Sequence, residues 1–259
     1  MANNEDEVDA SSSDIQAVAR VGQICALYGP LTTELTAADV ASRLGLNRTT
    51  AYRYCVSLVA AGILERGPRR GTFVLGGLML QLGIHALGRR RVVEIAPPYL
   101  TELSGEVELT AVLSLWGARG PVVTLVEEDS SRMVIVTVRA GSQLDFTAAQ
   151  THLFVAYLPD PRNDGLLGDA TAEQRAELDK AVYLARRNGY STANYAGGLF
   201  VASAPVFDQY GIAATIAVLG ADPVVDVGPG SVILTRLLAT AAAMSAELGG
   251  TSVGQKQTE

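Results

Sequence analysis

The side chains best suited to chemistry lie in Asn47-Arg48-Thr49-Thr50-Ala51-Tyr52-Arg53-Tyr54-Cys55-Val56-Ser57 and in Gly67-Pro68-Arg69-Arg70-Gly71. The chemistry is recognition, not bond breaking. An arginine bonds guanine bidentately, and a threonine meets a phosphate or a thymine methyl. The free amides of a helix start attract a phosphate. Reactive constellations are missing from the rest of the chain. The only histidines are His85 and His152, the only cysteines Cys25 and Cys55, and no Gly-x-Ser-x-Gly, His-Glu-x-x-His, Walker or Gly-x-Gly-x-x-Gly pattern occurs. We therefore expect no catalytic residues, metal or cofactor, and no enzyme. Catalysis by carboxylates alone is not excluded by composition, but Glu127-Glu128-Asp129 reads more simply as a solvated loop. His152 lies in an apolar helix and reads as a packing histidine. His85 reads as a packing or capping residue.

The elements that must position the first group follow from periodicity. Ile15, Val18, Ala19 and Cys25 have broadly helical spacing, and Gly29-Pro30 ends that segment. Thr36-Ala-Ala-Asp39 is a capping box with the shorter acid, Val40, Ala41 and Leu44 form an apolar stripe, and Gly45 closes the helix. Asn47 caps a third helix in which Ala51, Tyr54, Cys55, Leu58 and Val59 make one apolar face. Its other side carries Thr49, Tyr52, Arg53 and Ser57, with Arg48 and Thr50 in the first turn. Ile63–Arg66 and Thr72–Leu75 read as strands joined by a turn with Arg69 and Arg70 at its tip. This order is a winged helix-turn-helix, expected over residues 14–77, with the hairpin as a wing along a DNA backbone or in its minor groove.

Charge agrees by region. Residues 14–91 hold ten arginines against four acids, whereas residues 1–13 hold four acids and no base and residues 92–259 hold ten bases against nineteen acids. A basic segment on an acidic remainder suits phosphate attraction in one domain and solubility in the other, and hides inside a net charge of −7. With 48% hydrophobic and 18% charged residues, the chain has enough apolar surface for real cores, which excludes disorder throughout. Residues 1–13 read as a disordered acidic tail, not a secretory signal. The longest apolar runs, such as 212–219, are well short of the roughly 20 residues of a membrane span. A cytoplasmic protein is expected.

Residues 78–94, with Leu78, Leu80, Leu82, Ile84, Leu87 and then Arg89-Arg90-Arg91, read as a linker helix that needs a partner surface. Beyond it, helices are expected at 97–103, 147–158, 172–188 and 229–248, and strands at 109–115, 122–127, 133–139, 199–207 and 212–219. Helices around a largely antiparallel sheet make the fold class α+β.

The run from Leu35 to Gly83 resembles the N-terminal domain of the IclR family of bacterial transcriptional regulators. The marks are Ala41, Gly45-Leu46, Thr49-Thr50, Arg53, Leu58, Gly62 and Leu75-Gly76. The resemblance runs on to about residue 250. It implies a GAF-like α/β effector-binding domain over 95–250, with residues 251–259 left as a disordered tail. It also implies a homodimer or dimer of dimers whose paired recognition helices read a near-palindromic double-stranded operator. In the family, small residues at a helix start present amides to an effector. Here that place is held by Ala149 and Gln150, and Gln150-Thr151-His152 replaces the usual small-x-Gly-Lys ending. The Asp, Cys and two Ser used by members that bind small acids align near Ala193, Val201, Ala217 and Leu219, all apolar.

These readings converge on a sequence-specific transcriptional regulator, repressor or activator, controlled by a small-molecule effector more apolar or aromatic than a keto acid. The alternatives are a small-molecule-modifying enzyme and a protein-docking scaffold, each carrying a winged helix.

Overall fold

Thr36 starts the first well-defined fold element by a reciprocal bond. The Asp39 amide donates to Thr36 Oγ1 at 3.1 Å and the Thr36 amide to Asp39 Oδ2 at 2.8 Å, a cap worth about 1 kcal/mol. The helix so begun, α2 (Ala37–Leu44), ends at Gly45 in the left-handed region, φ 63°. Before it come α1 (Gln16–Cys25) and the two-residue strand β1 (Leu35–Thr36). After it, Asn47 accepts from the Thr50 amide at 2.7 Å and starts α3 (Arg48–Ala60). Strands β2 (Leu64–Arg66) and β3 (Thr72–Leu75) follow, then α4 (Gly77–Gly88), whose first amide donates to Glu65 Oε1 at 2.7 Å. The strands form a small antiparallel sheet in the order β1-β3-β2. Its core is Ile24, Leu35, Val40, Ala41, Ala51, Cys55, Leu58, Leu64 and Phe73.

These elements come from a computed structural model that describes residues 15–129, 131, 136–158, 164–168, 170–195, 198–221 and 228–250. The chain divides into two compact units, Met1–Leu87 and Gly88–Glu259. The tails expected at 1–13 and 251–259 lie outside the described residues.

The second unit holds α5 (Arg91–Val107), β4 (Thr110–Gly117), β5 (Gly120–Glu127), α6 (Ala149–Tyr157), α7 (Asp164–Leu167), α8 (Ala172–Asn188), β6 (Ser191–Asn194), β7 (Leu199–Asp208), β8 (Gly211–Ala221) and α9 (Val232–Glu247). Five antiparallel strands run in the order β5-β4-β8-β7-β6. Side chains alternate between the faces. Ala111, Leu113, Leu115, Ala202, Ala204, Ile216 and Val218 meet Leu100, Leu103, Leu237 and Met244 of α5 and α9 in the main core. The opposite face receives α6, backed by α8. The result is the expected α+β layout.

Several expectations change in detail. The helix expected over 78–94 is broken: α4 ends at Gly88, and α5 begins at Arg91. That start lies ahead of Pro97, where the helix was expected to begin. Pro97 and Pro98 point outward in α5 and are exposed. In α1 the buried residue is Ile24, whereas Ile15 and Val18 of the expected stripe are 67% and 65% exposed. Of the strand expected at 133–139, residues 133–135 lie outside the described residues, and 136–139 are not in a strand.

Candidate nucleic-acid interface and ligand pocket

The third helix offers its side chains in three directions. Ala51, Cys55 and Leu58 are buried in the core, with Tyr54 and Val59 half-buried beside them. Arg48, Thr49, Tyr52 and Arg53 are exposed. Between the two lies a groove of about 560 Å³ against α1, lined by Val18, Val21, Tyr54, Leu58 and Ile63, with Thr50, Arg53 and Ser57 on its α3 side. Asn47 occupies the Thr50 amide, so the Arg48 and Thr49 amides remain at the open end of the helix. A cation-rich surface with free amides at one helix end binds an anionic backbone.

The wing is fixed to this helix by an arginine that sequence reading passed over. The Arg66 guanidinium lies 4.9 Å from the Phe73 ring centre and 5.9 Å from that of Tyr52. That arrangement ties β2 and β3 to the exposed side of α3 through cation–π attraction. Tyr28 adds a bond from its hydroxyl to the Phe73 carbonyl at 3.1 Å, and burial raises its phenol pKa. At the tip, Arg69 donates from Nε to Glu34 Oε2 at 2.7 Å and pairs through Nη2 at 2.6 Å. Thr72 Oγ1 donates to Glu34 Oε1. These bonds from Arg69 and Thr72 hold the Glu34 carboxyl below the usual carboxylate range. Arg70 is exposed.

In the second unit, the positions Ala193, Val201 and Leu219 are direct cross-strand neighbours in one row that continues to Thr110. Ala217 lies in the next row, between Val112 and Ser203. With Ala149 at the start of α6, Val112, Val123, Val201, Ala217 and Leu219 form one apolar cluster, flanked by Ala193, Leu144 and Tyr195. Gln150 is buried beside it. Ala148 supplies no side-chain cap to α6, which leaves the first-turn amides to other acceptors. The Tyr195 phenol is raised by burial and by the nearby Asp145 carboxylate, while a bond with Thr147 acts the other way.

His152 is satisfied on both ring nitrogens. Phe146 carbonyl, an acceptor only, lies 3.1 Å from Nε2, and Ser191 Oγ lies 2.9 Å from Nδ1. The proton therefore sits on Nε2, and Ser191 donates to Nδ1. Burial lowers the His152 pKa. His85 is exposed in the last turn of α4, so it does not pack in a core.

The structure thus brings Arg48, Thr49, Tyr52 and Arg53 onto one surface, sets Thr50 and Ser57 toward the α1 groove, and places Arg70 free at the wing tip while Arg69 is engaged. Of the six residues aligned to the family's effector site, Ala149, Ala193, Val201, Ala217 and Leu219 share one apolar cluster, and Gln150 follows Ala149 in α6. Sequence reading missed Glu34, Arg66, Ser191 and the hydroxyls of Ser114 and Thr215, which are cross-strand partners, fully buried and without a partner among the described residues. Nothing local signals Glu34, Ser191, Ser114 and Thr215, because each meets its neighbour across a long stretch of chain.

Comparison with known proteins agrees with this geometry. Residues 17–68 match the IclR helix-turn-helix domain. The glycerol operon regulatory protein of Streptomyces griseus is 30% identical over 254 residues, covering 91% of this chain and 97% of that one. An IclR transcriptional regulator from Silicibacter sp. TM1040 has the same fold, with TM-score 0.78, 19% identity and coverage of 91% and 97%. An IclR homologue from Microbacterium hydrocarbonoxydans complexed with 4-hydroxybenzoate superposes with TM-score 0.70 at 19% identity, covering 90% of this chain and 98% of that one.

Proposed function

Because this chain belongs to the IclR family of DNA-binding transcription regulators, we propose that it acts as an effector-controlled dimer reading a near-palindromic operator. In this reading Arg48, Thr49, Tyr52 and Arg53 enter a major groove, Thr50 and Ser57 flank them, and the wing meets the backbone. The single observation that carries it is the α3 surface itself: two arginines and a threonine around free helix-start amides, beside a wing anchored by Arg66. Dimerisation is supported by α4, which has no buried residue although Leu80, Leu82 and Ile84 are 66%, 52% and 61% exposed. An apolar helix left bare needs a partner surface.

The effector reading rests on the apolar row. The side chains of Ala193, Val201, Ala217 and Leu219 offer an isolated carboxylate no partner, so the α6 amides and flanking hydroxyls such as that of Tyr195 would have to compensate its desolvation, and Asp145 nearby repels it. An aromatic or apolar ligand, with any acid group confined to the α6 amides, fits better than a small keto acid. The 4-hydroxybenzoate held by the Microbacterium homologue is a ligand of that kind. Binding shifts the regulator only by its differential affinity for two arrangements of the dimer.

The test is selection of bound fragments from a genomic library by the purified chain. Recovery of a shared, near-palindromic motif is the expected result. Recovery of no motif, with capture of protein partners intact in an Arg48→Ala/Arg53→Ala variant, would favour the docking scaffold.

A further inference from the structure

The wing tip carries two arginines, and one of them, Arg69, is held in an ion pair by Glu34. We propose that Glu34 recruits Arg69 as a pin for the wing, so that Arg69 is a positioning residue and Arg70 alone supplies the tip's phosphate contact. This rests on the DNA-binding reading above.

Glu34 is built into the hairpin. It directly precedes β1, which pairs with β3 in the register Leu35↔Phe73 and Thr36↔Thr72. Its carboxylate thereby lies under the turn, and its side chain is 14% exposed against 75% for Arg69. One oxygen takes both Nε and Nη2 of Arg69. The other takes the Thr72 hydroxyl and, at 3.4 Å, the Arg69 amide. Gly67 opens the space: a Cβ there would stand 2.7 Å from Glu34 Oε1 and closer still to Thr72 Oγ1. An exposed ion pair on its own contributes little. Here a shielded carboxylate gathers donors from the tip of the turn and from the start of β3, which makes it a geometric tie. A DNA phosphate must displace that carboxylate to take the Nε–Nη2 edge of Arg69, and the pair presents no net charge to draw a phosphate to the remaining Nη1 donors. Arg70 has no ion pair among the described residues.

The experiment measures the salt dependence of full-length protein binding to a fluorescein-labelled random-sequence duplex, where phosphate contacts dominate. Each phosphate contact adds about 0.9 to the slope of log affinity against log salt. Arg70→Ala is expected to lower the slope by about 0.9, and Arg69→Ala to leave it unchanged. Glu34→Gln keeps an acceptor for Thr72 but frees Arg69, and is expected to raise the slope by about 0.9, with Glu34→Gln/Arg69→Ala returning it to the wild-type value. Equal loss of slope in Arg69→Ala and Arg70→Ala overturns the proposal. Hydrogen exchange of the peptide spanning 64–75, without DNA, provides a second reading. Faster exchange in Arg69→Ala but not Arg70→Ala supports the pin, and wild-type exchange in both overturns it. If no protein binds any duplex, the DNA reading falls, and the exchange result alone decides the pin.

Discussion

Phe73 is the residue through which the N-terminal unit is most exposed to a single change. Its ring is fully buried among Leu35, Leu64 and Leu58, its carbonyl receives Tyr28, and Arg66 lies over it. Phe73→Ala removes the ring and leaves a cavity, which costs about 3–5 kcal/mol. Loss of the partly exposed cation–π contact adds about 0.5–1 kcal/mol. A unit of this size is stable by roughly 4–10 kcal/mol, so the change consumes a large share of it. Since 1.4 kcal/mol is a factor of ten, globally exchanging amides in residues 15–87 should exchange about 300-fold to 20,000-fold faster. Amides of β4, β7 and β8, whose core is separate, should keep wild-type rates. Hydrogen exchange by mass spectrometry at several urea concentrations reads both at once. Acceleration spread equally over the two units, or absent from the first, would refute the reasoning.

Other changes test single contacts. Thr215→Val replaces a fully buried, unpartnered hydroxyl by a methyl, and should stabilise the second unit by about 1 kcal/mol in urea unfolding; a lower midpoint would mean the hydroxyl has a partner. His152 is held neutral in the fold, its pKa depressed below 6.5 mainly by burial. Its contribution is therefore intact above about pH 6.5 and is lost as pH falls below it, by at most about 1.4 kcal/mol per pH unit until the native pKa is passed. His152→Gln should flatten that part of the stability profile, and an identical slope in the variant contradicts the assignment. Gly67→Ala places a methyl against Glu34 and Thr72 and should cost about 1–3 kcal/mol, localised to wing peptides in hydrogen exchange; uniform or absent change would show that the turn yields freely.

Local chemistry made the helix-turn-helix readable. The Thr36–Asp39 box, the left-handed Gly45 and the Asn47 cap are each complete within four residues, and the structure holds all three. The face of α3 was readable for the same reason. Around α1 the pattern misled, because Val18 lines an open groove and Ile15 is exposed, while Ile24 enters the core. Strands β1 and β6 have two and four residues, too short for a clear alternation, and β1 depends on a partner, β3, almost forty positions away. The break before Arg91 had no strong breaker besides Gly88, since arginines favour helix. The row proposed for the effector was placed by family resemblance, and Ala193, Val201 and Leu219 do become neighbours across three strands. What joins them to α6, the bond from Ser191 to His152, spans 39 positions and has no signature in either segment.

The central claim, that α3 reads DNA sequence, is tested most directly by salt-titrated binding of wild type and Thr49→Ala/Arg53→Ala to a duplex recovered by selection and to its scrambled counterpart. The account predicts tight, salt-sensitive binding that prefers the recovered duplex, with that preference largely abolished in the variant. Equal preference in wild type and variant would contradict it.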